Sequence, residues 1–267
     1  MLLQIITFYV VCDDFLIAMG HKEDPQATVV TAEVMTAALV AAWFFAGNQS
    51  LACTYLRETG LIPAMPSKSR FNRRLHQIPA SYWTAVLKQF AQDGEDTYIV
   101  DSCPIPVCAY VRSKRCRLYR DAAYYGYCAS KELHFYGLKC HAIVTQTGKP
   151  VEIELLPGCS ADLVGLKEMQ LQLPPGSKLC ADKAYNHYAY KDKLASDRDL
   201  HLLPQRKRNS KRAHSNELAG WINRVRKRIE TTFSQVTARL GRKIHAVIPA
   251  GFELKIRLVF AAYAIVG

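Results

Sequence analysis

Acidic residues are scarce in this 267-residue chain: 23 Asp and Glu stand against 35 Lys and Arg, giving a formal net charge of +12. That balance argues against a basic partner and favours a polyanion, nucleic acid first. No C-x-x-C pair occurs among the nine cysteines. Their odd number and unpaired spacing exclude a secreted disulfide scaffold and fit a reducing cytoplasm. The gaps between Cys103, Cys108, Cys116 and Cys128 are irregular and their neighbours apolar, which speaks against structural zinc. Long apolar runs are missing too. The stretch 34–46 suits a buried helix and falls short of the ~20 residues that span a bilayer. The apolar opening, 1–11, has no basic start and runs into Asp13 and Asp14, unlike a signal peptide. Internal repeats and low-complexity tracts are absent. A hydrophobic content of 49% nevertheless supports a substantial core. The expectation is a soluble, cytoplasmic protein with no membrane partner.

Residues 1–92 read as a helical DNA-binding region. A helix over 32–45, a break at 46–48 and a second helix over 49–58 give a helix-turn-helix outline. The amphipathic stretch 67–78 then sets Arg70, Arg73 and Arg74 on a cationic face that could track phosphates. Residues 93–267 have another texture. A strand over 97–100 ends at Asp101, and Pro104 and Pro106 are expected to stop it from continuing as a central strand. Residues 135–145 and 151–156 form a hairpin, and Ser160 or Asp162 caps a helix reaching about residue 173. A strand over 178–181 ends at Asp182, followed by a helix over 186–195 and a strand over 200–203. The loop 205–214 carries Arg206, Lys207, Arg208, Lys211 and Arg212 and reads as too basic to pack. The best helix follows, with Leu218, Ile222, Val225, Ile229, Phe233, Val236 and Leu240 in one stripe. An apolar helix over 253–266 closes the chain without a polar tail.

This element order predicts an α/β fold in which Asp101 and Asp182 end neighbouring strands of one mixed sheet, with Glu230 approaching from the long helix. Converging carboxylates repel one another, and two divalent cations about 3.5–4 Å apart remove that cost while promoting in-line displacement at phosphorus. Hard oxygen ligands with room for water suit Mg²⁺ or Mn²⁺, two ions per site. Each acid also has a plainer reading. Asp101 fits a turn, Asp182 a helix cap, and Glu230 a weak surface partner of Arg226.

The segments TYIVDSCPIPVC, HFYGLKCHAIVTQTGKPVEIELLPGCSADL, KLCADKAYN and RVRKRIETTFSQ resemble, in this order, bacterial insertion-sequence transposases of the DDE class, most closely the nine-eighty-two group. The resemblance covers nearly the whole chain. It implies a ribonuclease H-like sheet flanked by helices and a metal triad of Asp101, Asp182 and Glu230. It also implies double-stranded DNA as partner and, by analogy, a homodimer in the synaptic complex. Related enzymes set a Tyr, an Arg and a Lys around the catalytic Glu. Here Arg226 takes the arginine position, Asn223 and Thr237 replace the other two, and Arg239 or Arg242 is left as substitute. Lys139 and His141 lie on a strand close to the first, and Lys139 joins the candidate DNA contacts. A nuclease without strand transfer, or a transposase remnant that only binds DNA, is the alternative.

Overall fold

Thr97, Tyr98, Ile99 and Val100 are β-branched or aromatic and fully or nearly fully buried, as befits a strand covered on both faces. In the computed structural model, which describes residues 1–92, 95–129, 132–207, 209–241 and 243–267, they open strand β1 (Thr97–Cys108). The chain forms two units, one of Lys88–Gln235 and one of Met1–Leu87 with Val236–Gly267. Where the sequence reading runs a single domain over 93–267, residues 236–267 thus cluster with the N-terminal helices.

The sheet of the first unit adds β2 (Tyr125–Cys128), β3 (Leu133–Thr145), β4 (Pro150–Pro157), β5 (Lys178–Ala181) and β6 (His201–Pro204). Its order is β2-β3-β1-β5-β6, with β4 also on β3. β1 runs antiparallel to β3 and parallel to β5, and β5 runs parallel to β6. This is the mixed sheet that the sequence predicts, but β1 does not stop at Asp101. Its ladder with β3 continues past Pro104, opposite Lys139, and Pro106, opposite Gly137. Two residues apart, the prolines omit N–H groups from one edge only. β5 pairs with β1 no further than Ile99, and the Ser102 N–H, of the same parity, already turns to the Asp101 side chain. The missing donors therefore cost the β3 ladder nothing.

Helices α6 (Asp162–Glu168), α7 (Tyr188–Arg198) and the α8 (Asn216–Arg239) residues up to 235 complete this unit. α6 is shorter than expected because buried Glu152 takes the N–H groups of Gln170 and Leu171 at 2.6 and 3.1 Å, drawing the chain out of the helix. Asp162 does not cap it. The N-cap residue is Ala161, with no side-chain cap bond, and the Asp162 carboxylate turns to the sheet. The core on this face joins Tyr98, Val100, Ile143, Leu166, Leu179, Tyr185, Leu194 and Leu202.

In the other unit, α1 (Leu2–Ala18), α2 (Thr31–Phe44), α3 (Gln49–Glu58), α4 (Lys68–Gln77) and α5 (Ala80–Lys88, to Leu87) are joined by α9 (Pro249–Val266), which packs on α1 and α2. α2 is apolar all round and accordingly buried along most of its length. It meets α3 at 114°, after a turn with Ala46 at φ 47° and Gly47 at φ 78°, and Asn48 caps α3 through the Leu51 N–H. No single helix among the described residues is long and apolar enough to cross a membrane.

Helix α6 is seated on the ring of His141. A Cβ at Gly165 would lie 2.2 Å from His141 Nδ1, and the ring is fully buried with nowhere to move. Gly165→Ala should therefore destabilise the protein by about 1–3 kcal/mol. Its denaturant midpoint measures this, and an unchanged midpoint would show that α6 does not rest on the ring.

Candidate metal centre

The parallel register sets Ile99 opposite Cys180, and Asp101 and Asp182 each lie two residues further on. Asp182 therefore falls just past the carboxyl end of β5, and Asp101 lies within β1 where it runs on beyond its last pair with β5, on the same face of the sheet. Each is held by the amide that follows it. Asp101 Oδ1 accepts the Ser102 N–H at 2.8 Å, and Asp182 Oδ1 accepts the Lys183 N–H at 2.6 Å. The cap role weighed for Asp182 is thus real, and it fixes the carboxylate rather than competing with a place in the site.

Arg226 of α8 joins the pair. Its Nη2 lies 2.9 Å from Asp101 Oδ2 and its Nη1 3.7 Å from Asp182 Oδ1. The arginine is 9% exposed. It follows Ile222 by four residues and precedes Ile229 by three, which puts it in phase with the buried stripe of the helix. A charge at such a position has to find a buried partner. Its Nε is buried with no acceptor among the described residues. The surface pairing of Arg226 with Glu230 is not formed, because the guanidinium turns to the aspartates.

Burial pushes the Asp101 carboxyl up to about 6, and Asp182 and Asp162 raise it further, while the Ser102 amide and Arg226 pull the other way. One guanidinium thus does not fully compensate the pair. On the opposite face of the sheet, Asp162 Oδ1 accepts from Ser102 Oγ at 2.6 Å and pairs with Lys139 at 2.8 Å. Lys139 also donates to the Ser160 carbonyl, so this candidate DNA contact is already engaged. His141 has both ring nitrogens buried without partners among the described residues, and burial lowers its pKa to about 4. Tyr185 is fully buried, its hydroxyl without a partner among the described residues and its pKa raised by burial and by the charges of Asp101, Asp162 and Asp182.

Glu230 lies outside this cluster. It is exposed, one turn beyond Arg226, and among the described residues no three His, Cys, Asp or Glu side chains form a metal-ligand set. Asn223 is exposed and accepts a hydrogen bond from Gln205 Nε2 at 2.6 Å. Arg239 stacks over Trp43 at 3.7 Å in the helical unit, and Arg242 lies outside the described residues. Arg70 and Arg73 are exposed on α4, whereas Arg74 pairs with Glu23 at 3.9 Å and donates to the Val29 carbonyl.

The basic loop after β6 packs in part, although most of its described residues stay exposed. Tyr188 lies between Arg206 and Arg212, at 5.1 and 4.8 Å from its ring, and hydrogen-bonds Ser210. Arg212 Nη1 donates to both Asp192 carboxylate oxygens at 2.7 and 2.9 Å, and Arg206 donates to Asn186. An aromatic face and one carboxylate take up charge that composition alone leaves unbalanced. Lys207 and Lys211 remain exposed, and Arg208 lies outside the described residues.

A mixed sheet flanked by helices, with two aspartates side by side on adjacent parallel strands under a helix, has the ribonuclease H-like form. Residues 91–246, more than half of the chain, match the Transposase DDE domain family, and the chain belongs to that family. A solved piggyBac transposase, in a synaptic complex with hairpin DNA, shares the fold at a TM-score of 0.51 and 12% identity, over 99% of this chain and 74% of that one. No curated protein matches the sequence.

The hard carboxylate oxygens of Asp101 and Asp182, already gathered about one cation and incompletely neutralised by it, fit a divalent metal ion. Their strain is measurable without metal. Because the folded-state pKa of Asp101 lies above its ordinary 3.8, the folded protein holds that proton more tightly than the unfolded chain, and stability falls as pH rises from about 4 through 6. Asp101→Asn should thus be more stable than wild type at neutral pH, by up to about 3 kcal/mol, with the gap closing below pH ~4. Urea unfolding across pH checks this, and a constant gap would refute it.

Proposed function

We propose that the protein is an insertion-sequence transposase of the nine-eighty-two type, acting in the cytoplasm on double-stranded DNA. The observation that carries this reading is the placement of Asp101 and Asp182 side by side, where the parallel pairing of β1 and β5 ends, bridged by Arg226. In this reading the enzyme cleaves DNA at the element's ends to expose 3′-hydroxyls and joins them to target DNA. Asp101 and Asp182 would hold Mg²⁺ or Mn²⁺, with Glu230 completing the set from α8. Two bound ions would supply Lewis-acid activation of the attacking hydroxyl and stabilisation of the leaving oxygen.

The chain's own groups supply the rest. The Ser102 and Lys183 amides fix the aspartate rotamers, so the two carboxylates need little reorganisation. Exposed Arg70 and Arg73 on α4, and Lys207 and Lys211 on the stacked loop, would neutralise phosphates and release counterions. Arg206, Arg208, Arg212, Arg74, Lys139 and Arg226 are further contacts in this reading. The helical region 1–92 would bind the ends, and residues 93–267 would carry the chemistry. The piggyBac protein was solved in a synaptic complex with hairpin DNA, which supports DNA as the partner, and a homodimer on the element's ends is part of this reading.

Asp101→Ala, Asp182→Ala and Glu230→Ala should each lower Mn²⁺-dependent cleavage of labelled element ends by at least about a thousandfold, while end binding changes little. Cleavage assays with gel-shift controls test this. Cleavage without joining would instead identify a nuclease, and Mg²⁺-indifferent binding with no cleavage would identify a DNA-binding remnant. Retained cleavage by the Glu230 variant alone would leave the aspartate pair in place and remove Glu230 from the set.

A further inference from the structure

We propose that Arg226 competes with the metal ion for the seat between Asp101 and Asp182, and that the site loads metal when a DNA phosphodiester draws the guanidinium away. The inference rests on the metal-dependent reading above and adds how that site is filled. A single guanidinium reaches both carboxylates, at 2.9 and 3.7 Å, from the face that α8 covers. Of these, Asp101 Oδ2 is an oxygen a cation would need, whereas Asp182 Oδ1 already accepts the Lys183 N–H. Asp101 Oδ1 is already taken by the Ser102 amide, which leaves Oδ2, the atom Arg226 holds, as the oxygen free to be shared.

The pairing is also poised to change. Two carboxylates carry twice the charge of one guanidinium, so Arg226 leaves the pair under-compensated where a divalent ion would balance it. Arg226 itself is incompletely satisfied, since its Nε is buried with no acceptor among the described residues. A phosphodiester offers the planar fork two oxygens, as a carboxylate does. The side chain of Asp182 is 42% exposed, so the pair opens toward solvent on the side from which a phosphate would come. While Arg226 is seated, it shields an approaching phosphate from two bare carboxylates.

The geometry of α8 links this release to Glu230. Four residues further along the helix, Glu230 stands about 40° round the axis and about 6 Å along it from Arg226. It is exposed and bound to no partner among the described residues. With the guanidinium gone, the flank that Arg226 fills is open to the Glu230 side chain. One exchange would thus remove a monovalent plug and admit a further carboxylate.

The test is Mn²⁺ binding, read by electron paramagnetic resonance on the full chain, for wild type and Arg226→Gln, each with and without a short blunt DNA duplex after subtraction of the duplex alone. Without DNA, R226Q should bind Mn²⁺ about tenfold to a hundredfold more tightly than wild type, the span set by losing one charge-assisted competitor. Duplex should tighten binding by wild type and leave R226Q unchanged. Equal affinities of the two proteins without DNA would overturn the inference while leaving a metal site in place. Binding by neither protein under any condition would overturn the metal reading and this inference with it. Because R226Q exposes two carboxylates to each other, Arg226→Lys serves as the folding control. It keeps the charge but loses the fork, and its affinity should fall between the other two. Mn²⁺ should also raise the melting temperature of R226Q by more than that of wild type, and an equal rise would count against competition.

Discussion

Two aspartates of like charge lie on adjacent strands that the sheet holds side by side, and the rest of this site follows from the need to tolerate them. The parallel register puts Asp101 and Asp182 at the same level with their side chains on one face. Neither can be moved without shifting a strand whose residues are fully buried. Repulsion between them is therefore built into the fold, and a positive group has to come from outside the sheet. α8 provides it by setting Arg226 within the phase of its buried stripe. Buried pairs of this kind seldom add stability over an apolar replacement, because both partners lose water. The raised pKa of Asp101 says the same from the acid's side: burial outweighs Arg226. Such an arrangement is better explained by chemistry to be done than by stability.

The second face of the sheet supports the first. β1 alternates, so Asp101 points toward α8 while Ser102 points toward α6, where it donates to Asp162. Asp162 in turn is paired with Lys139 from β3. The strand that presents Asp101 is thus fixed on both sides, by the register with β3 and by a polar tie to α6. α6 itself is seated by the close approach of Gly165 to the His141 ring. That ring lies opposite Ser102 in the β1–β3 ladder, so packing on one face constrains the residue beside the catalytic candidate on the other.

Much of this was legible in the sequence because it depends on periodicity and chain order. The hairpin, the strand before Asp182 and the long helix announce themselves by alternation or by a three-four stripe, and their succession implies a mixed sheet with both aspartates at strand ends. What could not be read depends on contacts between distant residues. Pro104 and Pro106 look like a stop signal until it is known that β5 leaves the β1 edge before reaching them. Asp162 looks like a cap because its partners, Ser102 and Lys139, are far away in sequence. The basic loop looks unpackable because the Tyr188 ring between its arginines belongs to another helix. For Arg226 a signal did exist. It sits in phase with Ile222 and Ile229, and a charge inside an apolar stripe demands a counter-charge, which the two aspartates supply.

The same burial that marks the site hides it from one simple measurement. Between about pH 4 and 6 the folded protein keeps a proton on Asp101 that the unfolded chain has released, so Asp101 makes stability fall as pH rises. His141, with its pKa lowered to about 4, does the reverse: the unfolded chain binds a proton there that the folded protein does not, so stability rises with pH over nearly the same interval. The two slopes are of opposite sign over overlapping ranges, so each offsets part of the other. A shallow stability profile in this range is thus the sum of two strained groups on opposite faces of one sheet, and not a sign that neither is strained. Separating them requires removing one charge at a time, because only then does the acid's preference for its proton cease to be masked by the histidine's refusal of one.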